Sequence, residues 1–272
     1  MKRQAAALVS CASGAGKRDR FCIRGEPAFA AHPQPCPMTA AASDEASSPY
    51  SALGHTADLA LYLSIMFGVR FLHAPGLSSL VNGLLWSVTT LGVATWRMRA
   101  RGVRWADLGL CRPESWRRVA MVTSLILVAV PATIIPFEIA KEILPFQIPP
   151  DLSDEAAVSR FGDLRGNWPL FASIIVLVWA QSMLEELLDR GFLITWFERA
   201  LSSRWFAVGI AVLLQAGIFG FRHSYDLSSR SITVGLIGLV MGVAYVSSGR
   251  NLWPLVLAHG LLNTLSMVDR VL

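Results

Sequence analysis

Ser173-Ile174-Ile175-Val176-Leu177-Val178-Trp179-Ala180-Gln181-Ser182-Met183-Leu184-Glu185-Glu186-Leu187-Leu188-Asp189-Arg190-Gly191-Phe192-Leu193-Ile194 is the stretch on which the fold turns. No charge occurs from Gly166 to Leu184, then four charged residues arrive within six positions, and the apolar pattern resumes. A helix crossing a hydrocarbon core ~30 Å thick needs ~20 apolar residues. The charges therefore interrupt one long helical pattern. An acid at the centre of a membrane helix costs about 2.5–3.5 kcal/mol on insertion scales, so its presence points to a polar interior and a function. The competing reading is that the membrane ends at Leu184 and the glutamates are a solvated helix terminus.

The rest of the chain supports the membrane reading. Hydrophobic residues make up 53% of the 272 and charged residues only 16%, against ~25% charged in a soluble domain. Further charge-free runs cover Phe71 to Trp96, Val119 to Phe137, Trp205 to Phe221, Ser231 to Gly249 and Asn251 to Val268. Leu59 to Leu72 is a weaker candidate, because Arg70 cuts its apolar run. The expected fold is all-α: a polytopic membrane bundle of about seven transmembrane helices, within a range of six to eight. Residues 1–54, rich in Ala, Ser and Pro, read as a disordered tail or as an extension upstream of a true start at Met38. Residues 55–272 form the membrane-embedded domain, with residues 166–268 as its catalytic core. Residues 138–167, with Pro145, Pro149 and Pro150, read as a real connection between helices.

The net charge of +5 matters through its distribution. With the N-terminus inside, the tail, residues 97–118, residues 190–204 and Arg250 place 17 of the 24 basic residues on the cytoplasmic side, as the positive-inside rule favours. We expect an integral protein of a bacterial inner (plasma) membrane with a cytoplasmic N-terminus. Its partners would be the lipid bilayer and a membrane-associated peptide or protein substrate, with no nucleic acid. Nothing in the sequence sets an oligomeric state, and the four cysteines have no metal-ligand spacing.

Three polar elements stand out. Adjacent helical residues point ~100° apart, so Glu185 and Glu186 cannot aim at one point, whereas Glu186 and Arg190 are four apart and can pair. Glu185 is therefore assigned to chemistry, and Glu186 with Arg190 to structural support. The second element, Phe219-Gly220-Phe221-Arg222-His223, ends an apolar run; the third, His259-Gly260-Leu261-Leu262-Asn263, lies inside another. A lone histidine on an apolar face is more often a packed core residue than a functional one. A carboxylate, two histidines and an amide on three membrane helices are harder to explain as packing, since interhelical polar contacts can be made with fewer costly groups. A carboxylate with an imidazole can deprotonate water, and His and Asn donors can stabilise an oxyanion. Those parts suffice for amide hydrolysis.

In this order the motifs resemble the CPBP family, which contains the type II CaaX prenyl endopeptidases and the bacterial Abi proteins linked to bacteriocin processing or immunity. The family's E-E-x-x-x-R matches Glu185, Glu186 and Arg190; its F-x-x-x-H matches Phe219 and His223; its H-x-x-x-N matches His259 and Asn263. The segment from Val234 to Asn263 is also similar, as is Ala106-Asp107-Leu108-Gly109-Leu110, so the resemblance covers roughly residues 100–268. It implies an intramembrane endopeptidase in which Glu185 and His223 activate water while His259 and Asn263 stabilise the tetrahedral intermediate. The sequence requires no cofactor; the metal alternative is zinc held by Glu185, His223 and His259.

Two positions depart from the pattern: Asp189 replaces the usual aromatic residue before the arginine, and Arg222 directly precedes the motif histidine. By spacing, Asp189 either repels Glu185, competes for Arg190, or faces a polar loop. The principal rival function is a non-proteolytic membrane binding or bacteriocin-immunity protein. A transporter is disfavoured, because there are no matching pairs of broken helices. Strictly alternating spans would also separate Glu185 from His223 too far to cooperate. The expected resolution is that the Glu185 helix runs on to about Arg199, with a water-filled cavity around its middle.

Overall fold

The computed structural model describes residues 49–144, 161–202 and 204–272, so residues 1–48 of the tail expected over 1–54, and the prolines at 145, 149 and 150, lie outside the described residues. Seven long helices run through the described residues: α1 (Pro49–Gly68), α2 (Ser79–Ala100), α3 (Trp116–Ile143), α4 (Trp168–Ala200), α5 (Ala207–Ser224), α6 (Ser229–Ser247) and α7 (Trp253–Val271). No strand occurs among the described residues. The chain is thus all-α. Helix α1 begins inside the stretch read as tail, with Pro49 at its first position, where the missing N–H costs nothing. Ser78 and Ser115 cap α2 and α3, accepting from the backbone N–H of Val81 and Arg118.

Among the described residues five helical segments are long and apolar enough to cross a membrane: Ser51–Phe71, Trp116–Ile143, Trp168–Ala200, Ala207–Ser224 and Ser229–Ser247. The weakest of the sequence candidates, around Leu59, is among them. Helices α2 and α7 fall short in composition rather than length, since α2 carries Asn82, Arg97 and Arg99 and α7 carries His259, Asn263, Asp269 and Arg270. Polarity is arranged inside out. Leu85, Val88, Leu125, Val128, Val176 and Leu213 are exposed, whereas Glu186, Asp189 and Arg190 are fully buried. Lipid requires this distribution, because apolar side chains cost nothing there and charges must find partners inside the bundle.

Helix α4 is the axis of the fold. It runs unbroken for 33 residues, and Glu185 closes its first 18-residue α-helical section. From Glu186 to Ile194 the winding widens to a π-helix, a form concentrated at functional sites, before α-helix resumes at Thr195. Every residue of the π section is buried. Phe192 stacks on Trp196 with ring centroids 4.4 Å apart and meets Tyr62 of α1 at 4.7 Å. Gly191 lies under Leu108, Trp105 and Leu252, the connections that close this end of the bundle.

Contacts sort the connections between helices to two opposite ends. At one end Leu252 donates its N–H to Gly109 O at 3.1 Å, Trp253 Nε1 donates to Cys111 O at 3.0 Å, and Arg250 pairs with Glu198 at 2.7 Å. Burial works against the Arg250 charge, but the pairing with Glu198 outweighs it, so the guanidinium holds its proton more firmly than usual. At the other end the Arg70 guanidinium lies 3.3 Å from the Tyr225 ring centroid, Gly166 N–H donates to Val271 O at 2.8 Å, and Lys141 donates to Ser229 at 2.5 Å. Helices α5 and α6 approach closely at Gly220, where a Cβ would stand 2.3 Å from Ser231 O and 2.8 Å from Gly235 Cα.

Candidate active site

Glu185 is 7% exposed on the wall of a cavity of about 540 Å³. Gln181, one turn earlier on α4, donates to Glu185 Oε1 at 2.7 Å and to Ser87 of α2 at 2.9 Å. The other carboxylate oxygen, Oε2, faces two imidazoles: His223 Nε2 at 3.9 Å and His259 Nε2 at 3.7 Å. These separations exceed a direct hydrogen bond and suit groups that share one water between them. Helices α4, α5 and α7, well separated in sequence, therefore deliver one carboxylate and two ring nitrogens to a single point.

Both rings are oriented from behind. His223 Nδ1 lies 2.7 Å from the Phe219 carbonyl; a carbonyl only accepts, so Nδ1 carries a proton and Nε2 points toward Glu185. His259 Nδ1 lies 2.7 Å from Glu186 Oε1, and that carboxylate also accepts from Arg190 Nη1 at 3.0 Å. The Nδ1–H of His259 is thus donated to Glu186, leaving Nε2 aimed into the cavity. Glu186 and Arg190 are both fully buried. Unlike Glu185, Glu186 does not line the cavity.

Asn263, one turn beyond His259, also lines the cavity and donates its amide to Ser182 Oγ at 2.9 Å. Phe219 is the aromatic hub of the site. Arg190 lies over its face at 4.2 Å, His223 meets it at 4.5 Å, and His259 stands edge-on at 6.2 Å. All six site residues named from the sequence therefore gather in one place. Residues that the sequence does not single out complete it: Gln181, which lines the cavity, Ser182, which accepts from Asn263, and the cavity-lining pair Glu138 and Lys141 from α3. Gln181 carried a signal, since a buried amide four residues before a buried acid can bond it.

The two departures from the motif pattern answer each other. Arg222 Nη2 binds Asp189 Oδ2 at 2.7 Å, with Asp189 fully buried. Asp189 therefore neither takes Arg190 from Glu186 nor faces a loop. Beyond the membrane segments, the Asp226 carboxyl in the turn after His223 is held below its ordinary value, chiefly by hydrogen bonds from Ser228.

The side chains as placed do not fit a zinc ion. Among the described residues no three His, Cys, Asp or Glu side chains are grouped to hold a metal. The 3.7 and 3.9 Å gaps are wider than the roughly 3.3 Å between ligands set ~2.0–2.1 Å from a tetrahedral zinc.

Fold and site together define a polytopic helical membrane protein with a buried acid and imidazole centre open to a cavity. Residues 167–265 match the model of the family described as Rce1-like, type II CAAX prenyl endopeptidase. The match spans all three motifs and bears out the family resemblance read from the sequence; the family is one of peptidases. No curated protein and no solved structure matches the chain.

Proposed function

We propose that the protein is an intramembrane endopeptidase that hydrolyses a peptide bond in a membrane-associated protein or peptide, using a water activated by Glu185 and His223. The observation that carries this reading is the convergence of Glu185 Oε2 on His223 Nε2 and His259 Nε2 at 3.9 and 3.7 Å, on the wall of a cavity within an apolar bundle. Water held between Glu185 and the His223 lone pair loses a proton to this pair as its oxygen attacks the scissile carbonyl. The carbonyl oxygen then gains negative charge. His259, carrying a proton on Nε2, and the Asn263 amide are the donors available to it. The pair that took the proton returns it to the leaving amine as the C–N bond breaks. Glu186 and Arg190 hold the His259 ring in register. In this reading the protein sits in a bacterial inner membrane with its arginine-rich end in the cytoplasm.

The test is cleavage of candidate membrane-tethered peptides by purified protein in detergent. Glu185→Ala should lose cleavage while eluting as folded protein. Unchanged cleavage would sink the assignment, and full biological activity without cleavage would favour the binding or immunity reading.

A further inference from the structure

We infer that helix α2 belongs to the working site: Ser87 fixes the Gln181 amide, and that amide fixes the Glu185 carboxylate, so Ser87 and Gln181 are positioning residues. Helix α2 carries none of the three motifs and lies outside the residues matched to the family. The inference rests on the endopeptidase reading above and adds to it what holds the base in place.

The need for a clamp lies in the base itself. The last torsion of a glutamate is broad and roughly two-fold, so packing alone leaves its carboxylate free to turn. Yet it is Oε2 that faces His223 and His259. Among the described residues the only hydrogen bond to the Glu185 carboxylate is the 2.7 Å contact from Gln181 Nε2 to Oε1. A carboxylate only accepts, so the amide turns its nitrogen to this side. With Oε1 engaged, Oε2 is the oxygen left to take a proton from water.

The Gln181 amide ends in an equally soft torsion and has to be held in turn. Its Nε2 also donates to Ser87 Oγ at 2.9 Å. The two hydrogens of an amide share its plane, so two acceptors together set that plane. Ser87, Gln181 and Glu185 are all buried. Apolar contacts on both sides along α2 place Ser87 opposite Gln181. Leu80, seven residues earlier, packs with Val178, and Ala94, seven residues later, joins the cluster of Leu188 and Phe192.

The alternative is that Ser87 and Gln181 merely join two helices, as polar residues do in membranes. Two features count against it. Gln181 Oε1 is buried without a partner among the described residues, a cost that an apolar side chain of the same length would avoid. The contact also continues to Glu185 instead of ending at the seam between the helices. Gln181 is on the cavity wall, whereas Ser87 is not among the residues lining it. Ser87 therefore reaches the reaction only through Gln181.

Ser87→Ala, Ser87→Thr and Gln181→Met, each in the full chain, are assayed in detergent with a peptide that the wild type cleaves. Ser87→Ala should lower kcat severalfold with KM unchanged, while Ser87→Thr, which keeps the hydroxyl, stays near wild type. Gln181→Met keeps the length without the donor and should lower kcat by up to about 100-fold, the effect of a misplaced catalytic group. Wild-type kcat in Ser87→Ala, or a loss confined to KM, overturns the inference. A second measurement needs no substrate: thermal unfolding of Gln181→Met, Glu185→Ala and the double variant. Gln181→Met should lower the unfolding temperature less when residue 185 is already Ala. Equal shifts in both backgrounds overturn the clamp even in an active enzyme. If the wild type cleaves nothing, the endopeptidase reading fails and this coupling alone decides whether the clamp exists.

Discussion

Arg222 and Asp189 form a buried ion pair at 2.7 Å that ties α5 to the π-helical section of α4 directly behind His223 and Glu185. Each residue alone looks like a fault in its motif. Together they are one element, and removing one half leaves a buried charge without its counter-ion.

Such a break costs about 3–5 kcal/mol, whereas replacing both partners with apolar residues is often neutral. Asp189→Leu and Arg222→Leu should therefore each lower the unfolding temperature in detergent, and the double variant should recover most of the loss. Two independent, additive losses would show that the pair is not coupled.

Glu186 acts on the reaction through the His259 ring. Glu186→Gln keeps the volume but weakens the acceptor that fixes Nδ1–H, so kcat should fall roughly tenfold to a hundredfold with KM nearly unchanged, by analogy with outer-shell groups elsewhere. A change confined to KM would place Glu186 in substrate binding instead.

Gly220 lets two helix backbones touch, as small residues do in membrane helix packing. Adding a single methyl group puts Cβ 2.3 Å from Ser231 O, which neither backbone can accommodate without moving. Gly220→Ala should cost about 1–3 kcal/mol, the range for overpacking a filled site, and should displace His223 three residues on. Thermal unfolding with a parallel cleavage assay reads both effects; wild-type values in both would refute the close approach.

Because the donors around Glu185 do not fit a zinc ion, dialysis against a strong chelator should leave cleavage intact. Loss of activity restored by stoichiometric zinc would show that the three side chains rearrange around a metal.

The helices were legible because their signals are local. Apolar runs of membrane-spanning length mark them, and α1 gives the weakest signal because Arg70, whose guanidinium lies over the Tyr225 ring, interrupts its run. Glu185 could be separated from Glu186 by helical geometry alone, since neighbouring residues cannot face one point. The Glu186–Arg190 pair followed from a spacing of four, which the π winding preserves. The partner of Asp189 is hidden for the same reason that these pairs are visible. Spacing along one helix offered Glu185 and Arg190 as its neighbours, and its true partner is 33 residues away on another helix.

What the sequence determined by itself is the all-helical membrane architecture, the order of the three motifs and the identity of the six residues that meet. Periodicity, apolar length and the cost of a charge in lipid are properties of short segments. Only the tertiary structure decided that His259 is held by Glu186 while Glu185 faces both imidazoles, that Asp189 and Arg222 compensate each other, and that the cavity runs toward the ends of α3, α6 and α7. Those outcomes depend on how helices distant in sequence rotate and lean against one another. That rotation is set by close backbone approach at places such as Gly220 and Gly235, which no local pattern along the chain encodes.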